Sequence, residues 1–328
     1  MKTLLTFDYE VYFGTRTGSA ERCLLEPTDA LARVAAKHAA PLVFFVDAGY
    51  LLALRREMRG DYQLRLAHDA VCRQLNDLAR RGHELQLHVH PHWEDARWEN
   101  GRWRLDLARY ALHSFEPHEI DDIVLRYLEA LRDLGGDGAG RAYRAGGWVI
   151  QPFDRLREAL RLAGVAIDST VYRGGHRGGS VQPYDFRAAP EQSRWRFEHD
   201  PLVVDSGGYF LEVPIASREV KPAFFWRLAI AKKAGGPHYR AYGDGRAIAM
   251  DGGELAAKLT KPSTSVVSLD GYKASLVEEA ADEYHRRGMD DFVVIGHPKA
   301  LTPYSLECLD NFLAGGKAGE LANYSAYA

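Results

Sequence analysis

The chain has 328 residues, 46% of them hydrophobic and 27% charged, the make-up of a globular protein able to bury a large core. A formal net charge of -3 leaves no overall positive field to hold a nucleic-acid backbone or an anionic membrane, so neither is expected as a partner. Cys23, Cys72 and Cys308 are odd in number and in no Cys-x-x-Cys spacing, which speaks against a disulfide framework or a thiolate metal site and for reduced thiols in a cytoplasmic protein.

The N-terminal run Leu4-Leu5-Thr6-Phe7 meets Asp8 at once, too short for a secretory leader, and no window approaches the roughly 18 apolar residues of a membrane-crossing helix. Leu4 to Phe7 predicts a buried strand and Leu42 to Val46 a second. A helix is expected between them from about Thr28, capped by Thr28 or Asp29, with Leu31, Val34 and Ala35 as its apolar stripe. Leu64, Ala67, Val71, Leu75 and Leu78 repeat at helical spacing until Gly82, and His83 to His88 supplies a third strand.

The alternation continues with a helix over Pro117 to Leu134, a short strand over Ala142 to Arg144, a helix over Phe153 to Ala163 and a strand over Val165 to Asp168. Pro201 to Ile215 predicts a hairpin turning at Ser206-Gly207-Gly208, within an insertion or lid at about 201–253 that would cover the cleft and select the substrate. Pro222 to Lys233 predicts an aromatic-rich helix. A strand over Val266 to Leu269, a helix over Lys273 to Arg287, a strand over Phe292 to Ile295 and a final helix over Ser305 to Leu313 follow. Seven or eight such units predict an α/β fold, a distorted (β/α)7-8 barrel forming a single domain over 1–328, with reactive groups at the C-terminal ends of strands.

Three imidazoles stand within five residues in His88-Val89-His90-Pro91-His92, and neutral imidazole is the commonest side-chain ligand of a catalytic divalent metal. Alternation along a strand aims His88 and His90 the same way, but Pro91 ends the ladder and swings His92 back. His88 and His92 become the favoured pair, with His90 the imidazole able to replace His92. Two further strand ends carry ionisable groups, Asp8-Tyr9-Glu10 and Gly296-His297-Pro298. Two imidazoles and one carboxylate suit a hydrolytic site that leaves a position open for water, with zinc first and cobalt, nickel or manganese as alternatives. The Asp8/Glu10 pair can divide into one ligand and one base.

From residue 3 to about 315 these stretches resemble the polysaccharide deacetylases of carbohydrate esterase family four, the nodulation-deacetylase homology domain. Thr6-Phe7-Asp8-Tyr9-Glu10 is similar to the family's opening Thr-Phe-Asp-Asp motif in an Asp-x-Glu form, which implies Asp8 as general base and Glu10 as carboxylate ligand. Gly82-His83-Glu84 with His88-x-x-x-His92 resembles the second motif and implies His88 and His92 as metal ligands. Tyr143-Arg144-Ala145-Gly146-Gly147-Trp148 is similar to the third, without its proline and with Trp148 late, and implies that Arg144 orients Asp8 and keeps it ionised. Ile167-Asp168-Ser169-Thr170 resembles a fourth motif lacking its tryptophan, with Asp168 in a supporting role. Val293 to Pro298 resembles the fifth, implying His297 as general acid.

The resemblance implies metal-dependent hydrolytic N-deacetylation of an N-acetylated sugar or oligosaccharide. Trp93 and Trp148 would lay aromatic faces on the sugar. A cytoplasmic location points to a nucleotide- or lipid-linked precursor of a surface polysaccharide. The alternatives are a barrel amidohydrolase acting on another C–N bond through His88-x-His90, and a non-catalytic carbohydrate-binding relative.

Overall fold

Thr3 to Phe7 are 0% exposed on both faces, as a parallel strand between layers must be, and the strand they nucleate is β1 (Lys2–Tyr9). In this computed structural model, which describes residues 1–179, 181–248 and 252–327, the other strands used below are β2 (Val43–Asp47), β3 (Glu84–Val89), β4 (Ala142–Ala145), β5 (Ile167–Asp168), β6 (Trp195–Phe197), β7 (Phe210–Glu212), β8 (Ser217–Val220), β9 (Ser263–Val266), β10 (Asp291–Gly296) and β11 (Glu320–Ala322). The chain divides into two compact units, Met1–Leu42 with Ile215–Ala322, and Val43–Pro214 with the tail from Asn323. In class it is a mixed α/β sheet curled into a half-barrel with surrounding helices, the distorted barrel expected.

In the first unit β1 pairs in parallel with β10, Phe7 opposite Gly296, and with β11 on its other register. The segment beyond β9 joins the far side of β10 through a parallel bridge between Ser268 and Ile295, and the Leu269 N–H donates to the Ile295 carbonyl at 2.8 Å. Three neighbouring strand segments therefore end together, and Asp8, His297 and Asp270 stand at those ends. The first helix, α1 (Glu26–Lys37), follows a π-helical turn at Glu21–Leu25 and has a proline in its opening turn. Thr28 and Asp29, the two expected caps, both lie inside α1, Thr28 at 0% exposure, because the preceding turn already satisfies the opening donors.

In the second unit β2, β3, β4, β5 and β7 follow one another in parallel, and β6 closes that run antiparallel to β7. The register sets Asp47 opposite His88 and His88 opposite Arg144, so ionisable side chains meet at the C-terminal ends of strands. A helix that the sequence did not announce, α2 (Ala48–Glu57), leaves β2 directly. Gly49 in its first turn admits the Tyr127 hydroxyl, which a Cβ would meet at 2.5 Å. Next come α3 (Tyr62–Arg80), whose N-cap Asp61 accepts from the Gln63 and Leu64 N–H groups, and α4 (Pro117–Gly135), opened by a Glu116/Glu119 capping box.

The expected hairpin differs in its first arm: β6 at 195–197 pairs with β7, and residues near Gly207 only make the turn between them. Of the expected lid, β7 is thus a strand of the second unit's sheet, β8 pairs with β9 in the first unit, and residues 249–251 lie outside the described residues. The helix at 273–287 is split into a 3-10 stretch, Gly271–Leu276, and a regular α-helix, Val277–Arg286. Among the described residues no helix is long and apolar enough to cross a membrane.

Candidate active site

The first unit assembles an acid–base group. Asp8 and Glu10 are 5% and 4% exposed at the end of β1, and His297 Nε2 lies 3.6 Å from an Asp8 oxygen and 3.7 Å from a Glu10 oxygen. On the other side of the ring, Nδ1 lies 2.9 Å from Asp270 Oδ2, and the His297 backbone N–H donates to Asp270 Oδ1 at 2.8 Å. Burial alone would push this imidazole down. The Asp270 carboxylate, with Asp8 and Glu10 behind it, outweighs burial and holds His297 above the ordinary histidine range. Asp8 and His297 thus face each other directly.

The second unit assembles imidazoles. His88 Nδ1 lies 2.8 Å from the Arg144 carbonyl oxygen, which can only accept, so Nδ1 carries the proton and the lone pair of neutral His88 sits on Nε2. His90 Nε2 is 3.1 Å from that atom. His92 is buried too, but its ring stacks on Tyr110 at 5.5 Å between centroids and 4° between planes. His88 and His90 are buried imidazoles of the kind that hold a metal ion, and Glu10 is a buried carboxylate of the first unit. The sequence favours His92 as the second imidazole, whereas the ring set beside His88 is that of His90.

Arg144, 1% exposed, donates through Nε to the Ser169 carbonyl at 2.7 Å and lies with its guanidinium carbon 4.0 Å from the Phe45 ring centre. Asp168 accepts from the Thr170 hydroxyl at 2.7 Å and is held beside Glu212, a carboxyl the sequence reading passed over. Burial first, then the Asp168 charge, pushes Glu212 far above the usual carboxylate range, and burial likewise raises Asp168.

The two tryptophans part company. Trp93 is 1% exposed, donates its indole N–H to Asp47 at 2.6 Å and packs on Tyr50 and Trp103, so it has no open face for a sugar. Trp148 is half-buried at φ 63°, its ring set against Tyr172 and Tyr184. Gly146 stands where the third motif departs from the family: a Cβ there would lie 2.5 Å from His90 Nδ1, so only glycine lets this turn close on the imidazole.

No family model and no curated protein matches the chain. Among solved structures, a Mycobacterium smegmatis protein provisionally described as a polysaccharide deacetylase aligns over 99% of this chain and 87% of its own, at 17% identity and a TM-score of 0.51. A Pseudomonas aeruginosa PAO1 protein with a similarly provisional description aligns over 99% of this chain and 88% of its own, at 10% identity and a TM-score of 0.50. The chain has the polysaccharide deacetylase fold.

On this deacetylase fold, two residues absent from the sequence reading touch the expected site. Asp270 follows the strand-like run Val266 to Leu269, so the same strand-end rule that singled out Asp8 would have found it. Lys299, two positions after His297, donates from Nζ to Glu10 Oε1 and to the Val11 carbonyl, both at 2.8 Å, with its ammonium over the rings of Tyr12 and Phe13. No local pattern could reveal that contact, because it joins positions 289 apart in sequence.

Proposed function

We propose that the protein is a metal-dependent hydrolase that removes the acetyl group from an N-acetylated sugar. The observation that carries this reading is the buried pair of Asp8 and His297, with Asp270 fixing the ring of His297 from behind. The provisional descriptions of the two proteins that share the fold agree with it.

Glu10 would give a carboxylate and His88 its lone pair on Nε2, with His90 as the second imidazole and His92 as its rival, donor chemistry that suits a zinc-type ion. Such an ion supplies Lewis-acid polarisation of the acyl carbonyl. Asp8 accepts the proton of the attacking water. His297, kept protonated by its carboxylate neighbours, gives its Nε2 proton to the departing nitrogen, which would otherwise leave as an amide anion. Asp270 holds Nδ1 protonated so that Nε2 remains the working atom. Arg144 and Asp168 support this machinery, Trp148 offers the sugar an aromatic face, and the 201–253 region selects the substrate within a single catalytic domain in the cytoplasm.

Acetate release from a panel of N-acetylated sugars, measured with and without chelator on protein of known metal content, tests the proposal. Chelator-sensitive acetate release is expected. Tight sugar binding and bound metal with no acetate from any member would make the chain a non-catalytic carbohydrate binder. The short His88–His90 contact favours one second reading, an amidohydrolase opening a cyclic amide, which would release a ring-opened acid and no acetate.

A further inference from the structure

Next to the acid–base group, within the first unit, lies a cavity of about 690 Å³, a size that holds a small-molecule ligand. Two helices, Pro222–Ala234 and Gly252–Thr260, contribute to its wall, and Asp270 and Tyr12 line it on the side of His297 and Lys299. Its charge runs against the composition of the chain. The protein carries a formal net charge of -3, yet Lys232, Lys233, Arg240, Lys258 and Lys273 all line this space, and among the described residues the one lining carboxylate, Asp270, is engaged by His297. Lys258 is balanced by Glu254 at 2.7 Å, and among the described lining residues the remaining cations outnumber the carboxylates. Tyr239 and Tyr272 add aromatic surface, their ring centres 6.1 Å apart.

We infer that this cavity seats the phosphate or diphosphate of a phosphate-linked N-acetyl sugar, with its lysines taking the charge and its tyrosines flanking the group beyond it. The inference rests on the deacetylase reading and narrows its substrate class. Lys273 is the key residue. Burial, partly offset by Asp270 and reinforced by Lys258 and Lys232, holds its ammonium below the ordinary lysine range, the mark of cations gathered without enough counter-charge. An incoming phosphate supplies that charge, and Asp270 places it one side chain away from His297, where the linked acetamide would react.

The test is titration calorimetry of the whole protein with sodium pyrophosphate, followed by acetate release from three substrates: a nucleoside-diphosphate N-acetyl sugar, a lipid-diphosphate N-acetyl sugar and a neutral N-acetyl oligosaccharide. Pyrophosphate is expected to bind more weakly as salt rises, and Lys273→Gln to weaken it about tenfold, the worth of one charged hydrogen bond. Lys273→Gln should also lower the ratio of kcat/KM on the preferred phosphorylated substrate to that on the neutral one. Lys317→Gln, a surface change paired to Glu278 and Asp282, should alter neither. Equal melting temperatures show that the variants fold, and Lys232→Gln provides an independent second probe. The better of the two phosphorylated substrates identifies the source of the phosphate. No pyrophosphate binding, or turnover of the neutral substrate alone, overturns the inference and leaves the deacetylase reading standing. Pyrophosphate binding lost in Lys273→Gln, with no acetate from any substrate, supports the anion site and overturns the deacetylase reading instead.

Discussion

The carboxylate of Asp270 grips His297 twice, at ring Nδ1 (2.9 Å) and at the backbone N–H (2.8 Å), so one side chain sets both the tautomer and the position of the proposed general acid. Replacing Asp270 by Asn keeps the size of the group but lets an amide N–H face Nδ1, which favours the wrong tautomer. D270N is expected to lower kcat for acetate release by about 10²-fold, and H297N by about 10²- to 10⁴-fold, with melting temperature and metal content close to wild type. A kcat for D270N within about twofold of wild type would reduce Asp270 to a packing residue.

The choice between His90 and His92 is decided by metal content. His90 Nε2 lies 3.1 Å from His88 Nε2, while His92 is stacked on Tyr110. Elemental analysis should find H90Q largely empty and H92Q largely loaded, with outer support of ligands worth about 10- to 100-fold in affinity. The reverse pattern would restore the assignment that the motif spacing suggests.

Lys299 neutralises Glu10 where both are about 95% shielded from water. Removing one partner of a buried pair leaves an uncompensated charge, so K299M should lose about 3 kcal/mol in chemical denaturation. Added zinc should recover part of that loss if Glu10 is a ligand, since ligand binding stabilises the folded state by mass action. A K299M protein that zinc fails to stabilise would argue against Glu10 as a ligand.

Glu212 gives a pH signature that does not involve the reaction. Its folded-state pKa is raised, so between the ordinary glutamate value of about 4.5 and the raised one the folded protein holds a proton that the unfolded chain has released. Stability from this group is therefore complete below that ordinary value and is lost as pH rises through the folded one. E212Q carries no such charge. Its advantage over wild type should grow with pH by up to about 1.4 kcal/mol per unit, measured by denaturant unfolding across a pH series. A difference that stays flat with pH would mean that Glu212 is ionised in the fold.

Much of the frame was legible because it is local. Apolar-rich runs marked β1, β2 and β10, the helix stop at Gly82 marked the start of β3, and helical spacing marked α3 and α4 to within a few residues. Parallel strands bring their C-terminal ends to one edge, so Asp8 and His297 could be expected as neighbours without any knowledge of the path between them. The hairpin differs from expectation because β7 finds its antiparallel partner at 195–197, outside the turn signal, and α2, with Gly49 in its first turn, follows β2 without a separating loop.

By itself the sequence determined the kind of chemistry: which imidazoles and carboxylates stand at strand ends, and the α/β class that gathers them. Only the tertiary structure decided which of these groups touch. It put Asp270 behind His297, Lys299 on Glu10, His90 beside His88, and Trp93 inside the packing instead of open to a sugar. The physical reason is that local periodicity fixes the face a side chain takes on its own element, whereas its partner is set by register and packing between segments hundreds of residues apart.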